Sequence, residues 1–177
     1  MKIGNLFAVE GLAVVVTGGA SGIGLGYVEA LAGNGARVTK LDLNQNRIDS
    51  ECERLRAAGM DVRGEAVDIT DHTALDRAVD NAVAEYGRLD VVFANAGIDP
   101  GPGYLGAWVG DERPRVAEGA LENYGDERWQ RVMDINLSGV FATLRAAARH
   151  MRPQRSGRMI VTTSAAASRC EPAIGVA

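Results

Sequence analysis

Leu12–Val16 reads LAVVV, and Thr17–Gly24 follows at once as TGGASGIG. A short, unbroken, valine-rich run is the pattern of a strand buried on both faces, as in parallel sheets. Glycines directly after it permit a tight turn with positive φ and let the backbone approach a ligand closely. From Ile23 to about Leu31, the apolar Ile23, Val28 and Leu31 with the small Ala30 and Ala32 suit a helix lying on a sheet, and Asn34-Gly35 reads as its stop. Strand, glycine turn and helix in immediate succession predict an anion site. The unpaired N–H groups and the positive dipole end at the helix amino terminus would hold a pyrophosphate there. A glycine-rich turn alone is a weak signal, and its place between strand and helix gives it weight.

Outward from this unit the chain alternates. Ala36–Leu41 (ARVTKL) reads as a strand, Arg47–Ala58 as a charged helix stopped by Gly59, and Val62–Val67 as a third strand. Thr73–Tyr86 carries Leu75, Ala78, Val79, Ala82 and Val83 on one helical face before Gly87 stops it. Leu89–Ala94 (LDVVFA) is a fourth strand, Glu127–Met151 one long helix, and Met159–Thr163 a fifth strand. Strands alternating with helices predict an α/β fold, a doubly wound parallel sheet of the Rossmann type, with ligands bound beyond the strands' carboxyl ends where the strand order reverses. Asp99–Gly119 breaks the rhythm with three of the chain's 5 prolines and no periodicity. It reads either as a disordered insertion or as an active-site flap carrying Tyr104 and Trp108.

Composition bounds the alternatives. The 177 residues are 46% hydrophobic and 24% charged with a net charge of −4, which fits one soluble globular domain over 1–177 and excludes disordered, collagenous and disulfide-scaffold classes. The acidic balance offers no footprint for nucleic acid or an anionic membrane surface. No apolar run approaches the ~18 residues of a spanning helix, and MKIGNLFAVEG lacks a signal peptide's apolar stretch, so the expected location is the cytoplasm. Cys52 and Cys170 read as free thiols in a reducing compartment, and His72 and His150 lack ligand spacing, so neither a metal site nor a Ser/His/Asp triad is expected. Lys2 and Lys40 are the chain's two lysines.

Asp42 lies 18 residues after Gly24 at the end of the second strand, where a carboxylate accepts hydrogen bonds from an adenosine ribose. It would also repel a 2′-phosphate, and neither Ser21 nor Leu43 supplies a compensating cation. The reading is therefore NAD rather than NADP. Lys40 is the opposing consideration: in an extended strand it shares a side with Asp42, which leaves a salt bridge or a weak phosphate contact open. Asp42 as a merely solvated acid at a strand end is the plain alternative.

TGGASGIG, Asp42, Val67-Asp68-Ile69, Asn95-Ala96-Gly97, Asn136 within MDINLSGVF, and Thr162-Thr163-Ser164-Ala165-Ala166 occur in this order along essentially the whole chain. In this set the chain resembles the short-chain dehydrogenase/reductase family in its NAD-using form. The resemblance implies that Gly18, Ser21, Gly22, Ile23 and Gly24 cradle the pyrophosphate and that Asp42, with Leu43 beside it, holds the ribose. It further implies that Asp68 and Ile69 line the adenine and that Asn95, Ala96 and Gly97 shape the cofactor floor, although Asp68 and Asn95 would serve equally as capping and strand-tethering groups. Asn136 would kink its helix and hold a water in a proton relay, and Ser164 would orient a substrate carbonyl.

The implied activity is hydride transfer between NAD and a small-molecule alcohol or ketone. The family's proton-transferring Tyr-x-x-x-Lys is absent: none of Tyr27, Tyr86, Tyr104 and Tyr124 has a lysine four residues on. The expectation is accordingly a chain truncated after the fifth strand, without the catalytic and substrate part of the fold, and close to inert by itself. The alternatives are a natural NAD-binding module or relic without turnover, and a domain that only mediates assembly. An uncovered fifth strand would favour self-association, expected through the Glu127–Met151 helix.

Overall fold

The valine run forms the middle of a five-stranded sheet. In a computed structural model, which describes residues 8–99, 101–103, 105–106 and 109–164, β1 (Ala13–Thr17) is buried at every position. It is flanked by β2 (Arg37–Asp42) and β4 (Val91–Ala94), with β3 (Val62–Ala66) and β5 (Arg158–Val161) outside them. All pairings are parallel, in the order β3-β2-β1-β4-β5. After building β2 and β3 on one side, the chain returns to lay β4 on the other side of β1. The order thus reverses between β1 and β4, where such sheets bind ligands.

The chain divides into two compact units, Met1–Ala96 with Ser138–Thr162, and Gly97–Leu137 with Thr163–Ala177. In the first, α1 (Gly22–Gly33) and α2 (Gln45–Ala57) bury Val28, Ala32, Ile48, Cys52 and Leu55 against Val14, Val16, Val38 and Val62. Side chains alternate across a strand, so the equally buried Val15 faces the opposite side. There α3 (His72–Tyr86) buries Leu75, Ala78, Val79 and Ala82, and α5 (Val140–Gln154) lies beside it. Arg149 bonds Asp76 and Asp80, and His150 Nε2 lies 2.7 Å from Asp80 Oδ1. α2 and α3 begin where the sequence supplies caps: Asn44 accepts from the Arg47 N–H, and Asp71 from those of Thr73 and Ala74.

Three sequence expectations need correction. The single helix over Glu127–Met151 is divided into α4 (Asp126–Met133), a π-helical stretch at Asp134–Gly139, and α5. A π turn adds one residue and leaves the apolar pattern on either side intact, so periodicity alone does not reveal it. The register of β4 on β1 begins at Val91; just ahead of it the Asp90 N–H donates to the Ala13 carbonyl at 2.8 Å, and Leu89 exchanges bonds with Gln154, which accepts its N–H at 3.0 Å and donates to its carbonyl at 2.8 Å. The fifth strand spans Arg158–Val161 rather than Met159–Thr163 and is exposed throughout.

In the second unit, Asp99–Gly119 is not featureless. Leu105 bridges Arg115, and Val109 and Glu112 exchange backbone hydrogen bonds at 2.9 and 3.1 Å, before a 3-10 turn at Ala117–Gly119. Tyr104 and Trp108 lie outside the described residues. Among the described residues no helix is long and apolar enough to cross a membrane, and no cluster of three His, Cys, Asp or Glu groups could hold a metal.

Candidate functional site

The glycine turn is laid over the end of β2. The N–H groups of Gly18 and Gly19 donate to the Leu41 carbonyl at 2.7 and 3.2 Å, and the Ala20 N–H donates to Asp42 Oδ2 at 3.0 Å. Two glycines are required outright. A Cβ on Gly24 would lie 2.1 Å from the Gly18 carbonyl oxygen and 2.6 Å from Asn95 Nδ2, so any side chain would push α1 off the sheet. Gly22 opens the helix at φ +52, with nothing within 4 Å of where a Cβ would stand.

The amino end of α1 differs from those of α2 and α3. Its N-cap, Ser21, makes no side-chain capping bond, and no acidic residue sits in its first turn. The leading N–H groups are therefore left for water or a ligand, and the dipole adds positive potential where Ser21, Gly22 and Ile23 are exposed. Such a mouth could hold an anion with several acceptor oxygens, which would supply what a capped helix supplies for itself.

Asp42 is half-buried at the end of β2. Besides accepting from Ala20, it accepts the Asn44 N–H at Oδ1, 3.2 Å away. Each carboxylate oxygen retains a further lone pair, so the group that fixes the turn can also accept from a ribose hydroxyl. The neighbouring Leu43 is exposed and apolar. Lys40 shares neither role. It is fully buried, and its Nζ has no hydrogen-bond partner, so it is neither a salt-bridge partner of Asp42 nor a surface phosphate contact. Burial lowers the Lys40 ammonium pKa from its ordinary value, an effect that neighbouring Cys52 partly offsets.

At the ends of β3 and β4 the sequence-predicted residues have defined local work. Asp68 Oδ1 accepts from both the Thr70 N–H and hydroxyl, at 2.9 and 2.7 Å, while Ile69 is buried. Asn95 tethers strands: Nδ2 donates to the Thr17 carbonyl at 3.1 Å, and Oδ1 accepts from Thr162 Oγ1 at 2.9 Å. Thr17, which the sequence reading does not single out, is its counterpart. The buried Thr17 hydroxyl donates to the Phe93 carbonyl and accepts the N–H groups of Asn95 and Ala96, locking β1 to β4 beside the reversal point. Its only sequence signal is a hydroxyl at the end of a wholly apolar strand.

In the second unit, Asn136 lies within the π-helical stretch, and its amide pairs with the backbone of Ile98 in both directions. Oδ1 accepts the Ile98 N–H at 2.9 Å, and Nδ2 donates to the Ile98 carbonyl at 3.0 Å. The segment opened by Gly97 is thereby fixed to the helix where it widens. Ser164 is exposed, three residues beyond the end of β5.

A glycine turn with an uncapped helix end, closed by an acid at the tip of the next strand, has many relatives. The short chain dehydrogenase family profile matches residues 12–176. Secoisolariciresinol dehydrogenase of Forsythia intermedia is 34% identical over 157 residues, covering 88% of this chain and 50% of that protein. Among solved structures, NAD+-bound xylitol dehydrogenase superposes with a TM-score of 0.80 at 28% identity, covering 94% of this chain and 58% of its own. NADPH-dependent 3-quinuclidinone reductase from Rhodotorula rubra gives 0.75 at 29% identity, covering 95% and 57%. The chain thus spans somewhat more than half of these solved relatives and half of the first. With the family profile matching residues 12–176 and solved relatives superposing over more than nine-tenths of the chain, the chain belongs to the short-chain dehydrogenase/reductase family.

Proposed function

We propose that this chain carries the dinucleotide-binding part of an oxidoreductase that moves hydride between NAD and an alcohol or ketone. The observation that carries the reading is the pairing of an uncapped α1 amino end with the Asp42 carboxylate, joined through the Ala20 N–H. The N–H groups of the Gly18–Gly24 turn, with Ser21, Gly22 and Ile23 exposed at its mouth, take the pyrophosphate. Asp42 beside Leu43 holds the ribose, Asp68 and Ile69 line the adenine, and Asn95, Ala96 and Gly97 shape the floor.

Relatives named for NAD and for NADPH both match, so the choice between them is argued from this chain's residues. A carboxylate at the ribose disfavours a 2′-phosphate, and the buried Lys40 supplies no surface cation to offset it. When bound, the nicotinamide accepts or donates the hydride. The Ser164 hydroxyl orients the substrate oxygen, and Asn136 positions the Ile98 backbone through the π turn. Xylitol dehydrogenase and 3-quinuclidinone reductase are named for a polyol and a ketone, which supports that substrate class. Self-association of the whole protein belongs to the same proposal: Phe141 on α5 is 59% exposed, an apolar group available to a second copy.

The test is thermal melting with each cofactor. NAD is expected to raise Tm more than NADP at equal concentration, and equal shifts would remove the Asp42 assignment. Alcohol oxidation by the purified chain is measured alongside, and turnover would eliminate the alternative of a module that binds NAD without chemistry.

A further inference from the structure

Lys40 is the least expected residue in the core. Its stem runs beneath the glycine turn, where a Cβ on Gly19 would come within 2.6 Å of the Lys40 Cβ. The side chain then reaches Gly64 on β3. A Cβ placed there would lie 3.4 Å from Lys40 Cε, 3.3 Å from Cys52 Sγ and 2.3 Å from Ile48 Cγ2. The missing side chain at Gly64 thus lets Ile48 close onto β3 and brings the Cys52 sulfur and the end of the Lys40 stem to the same point. Lys40 is 0% exposed with no hydrogen-bond partner for Nζ, and Cys52 is 4% exposed. A cavity of about 440 Å³ lined by Ile48, Asp49, Cys52, Glu53, Arg56 and Gly64 borders the cysteine.

We propose that Lys40 and Cys52 form a thiol–amine pair that a peroxide, entering by this cavity, closes into a sulfur–nitrogen cross-link between β2 and α2. The Cys52 thiol takes one oxygen from the peroxide, giving the sulfenic acid and water: sulfur is oxidised by two electrons and the peroxide O–O bond is reduced. The neutral Lys40 amine then attacks that sulfur. The S–N bond forms, the S–O bond breaks, and the departing hydroxide leaves as water with the amine proton. A thiol reductant reverses the step by attacking sulfur and returning the free amine. Burial favours the uncharged amine that this chemistry needs. Asp42 follows two residues after Lys40 on the same strand, so the cross-link would be anchored next to the carboxylate that fixes the glycine turn.

The experiment treats the full chain with hydrogen peroxide, blocks remaining thiols, cleaves at acidic residues and maps the fragments by mass with and without dithiothreitol. Cleavage at Asp42, Asp49 and Glu51 separates Lys40 from Cys52 in an unlinked chain. The expected result is a joined fragment carrying both residues, lighter than its unlinked parts by the two lost hydrogens (about 2 Da) and released by dithiothreitol. In Lys40→Met the joined fragment is expected to be lost, and Cys52 to proceed to sulfinic acid. Recovery of wild-type Cys52 as free thiol, as sulfinic acid or as a disulfide with Cys170, without an attached Lys40 fragment, overturns the proposal. That readout needs no variant to fold.

Discussion

Asp42 Oδ2 accepts the Ala20 N–H at 3.0 Å, so the acid at the tip of β2 fastens the glycine turn at the tip of β1. One carboxylate thereby serves structure and recognition together, and the two roles separate by substitution. Asp42→Asn keeps an acceptor for Ala20 but removes the charge that repels a 2′-phosphate. It should narrow the Tm gap between NAD and NADP while leaving the ligand-free Tm within a few degrees. Asp42→Ala loses both and should also lower the ligand-free Tm, by an amount corresponding to about 1–3 kcal/mol. Melting curves of the two variants with each cofactor check this.

Gly24 tests close packing directly. An alanine there would meet the Gly18 carbonyl oxygen at 2.1 Å, contact with backbone that cannot move aside cheaply. Gly24→Ala should destabilise the chain by about 1–3 kcal/mol and weaken cofactor binding at least tenfold, because α1 must shift off its turn. Chemical denaturation and titration calorimetry read the two effects separately.

Lys40 sets a pH dependence. Burial lowers its pKa in the folded chain below the ordinary lysine value of 10.5, so between the two values the unfolded chain binds more protons than the folded one. Stability therefore rises with pH through that window, and below the lowered value the protonated ammonium carries its full burial cost. Lys40→Met should raise stability at neutral pH by about 1 kcal/mol or more and reduce the alkaline rise. Urea midpoints from pH 7 to 10.5 for both proteins measure the difference; parallel curves would show that the Lys40 charge is not the source.

Asn95 holds β1, β4 and Thr162 through its side chain, so Asn95→Leu leaves the Thr162 hydroxyl without its partner and removes the bond to the Thr17 carbonyl. A loss of about 2–4 kcal/mol is expected. Thr17→Val, which removes the hydroxyl serving Phe93, Asn95 and Ala96, should cost a similar amount. The double variant should cost less than the sum, since the two side chains share one network.

Sequence alone determined the features written as local pattern. LAVVV between turns read as a strand buried on both faces, the glycine turn placed the start of α1, and Gly87 marked the end of α3 by its own chemistry. The tertiary structure decided what depends on which groups meet across the sheet. Lys40 shows the limit: alternation placed it on the same side as Asp42, but whether its long side chain turned to solvent or into the core depended on α2 and on the missing side chain at Gly64. Thr17 and Asn95 lie 78 residues apart in the chain, and their shared network exists only because β4 returns to pair with β1. The π turn at Asn136 had no periodic signature, because an added residue in a helix changes the backbone bonding while leaving the apolar spacing on each side unchanged.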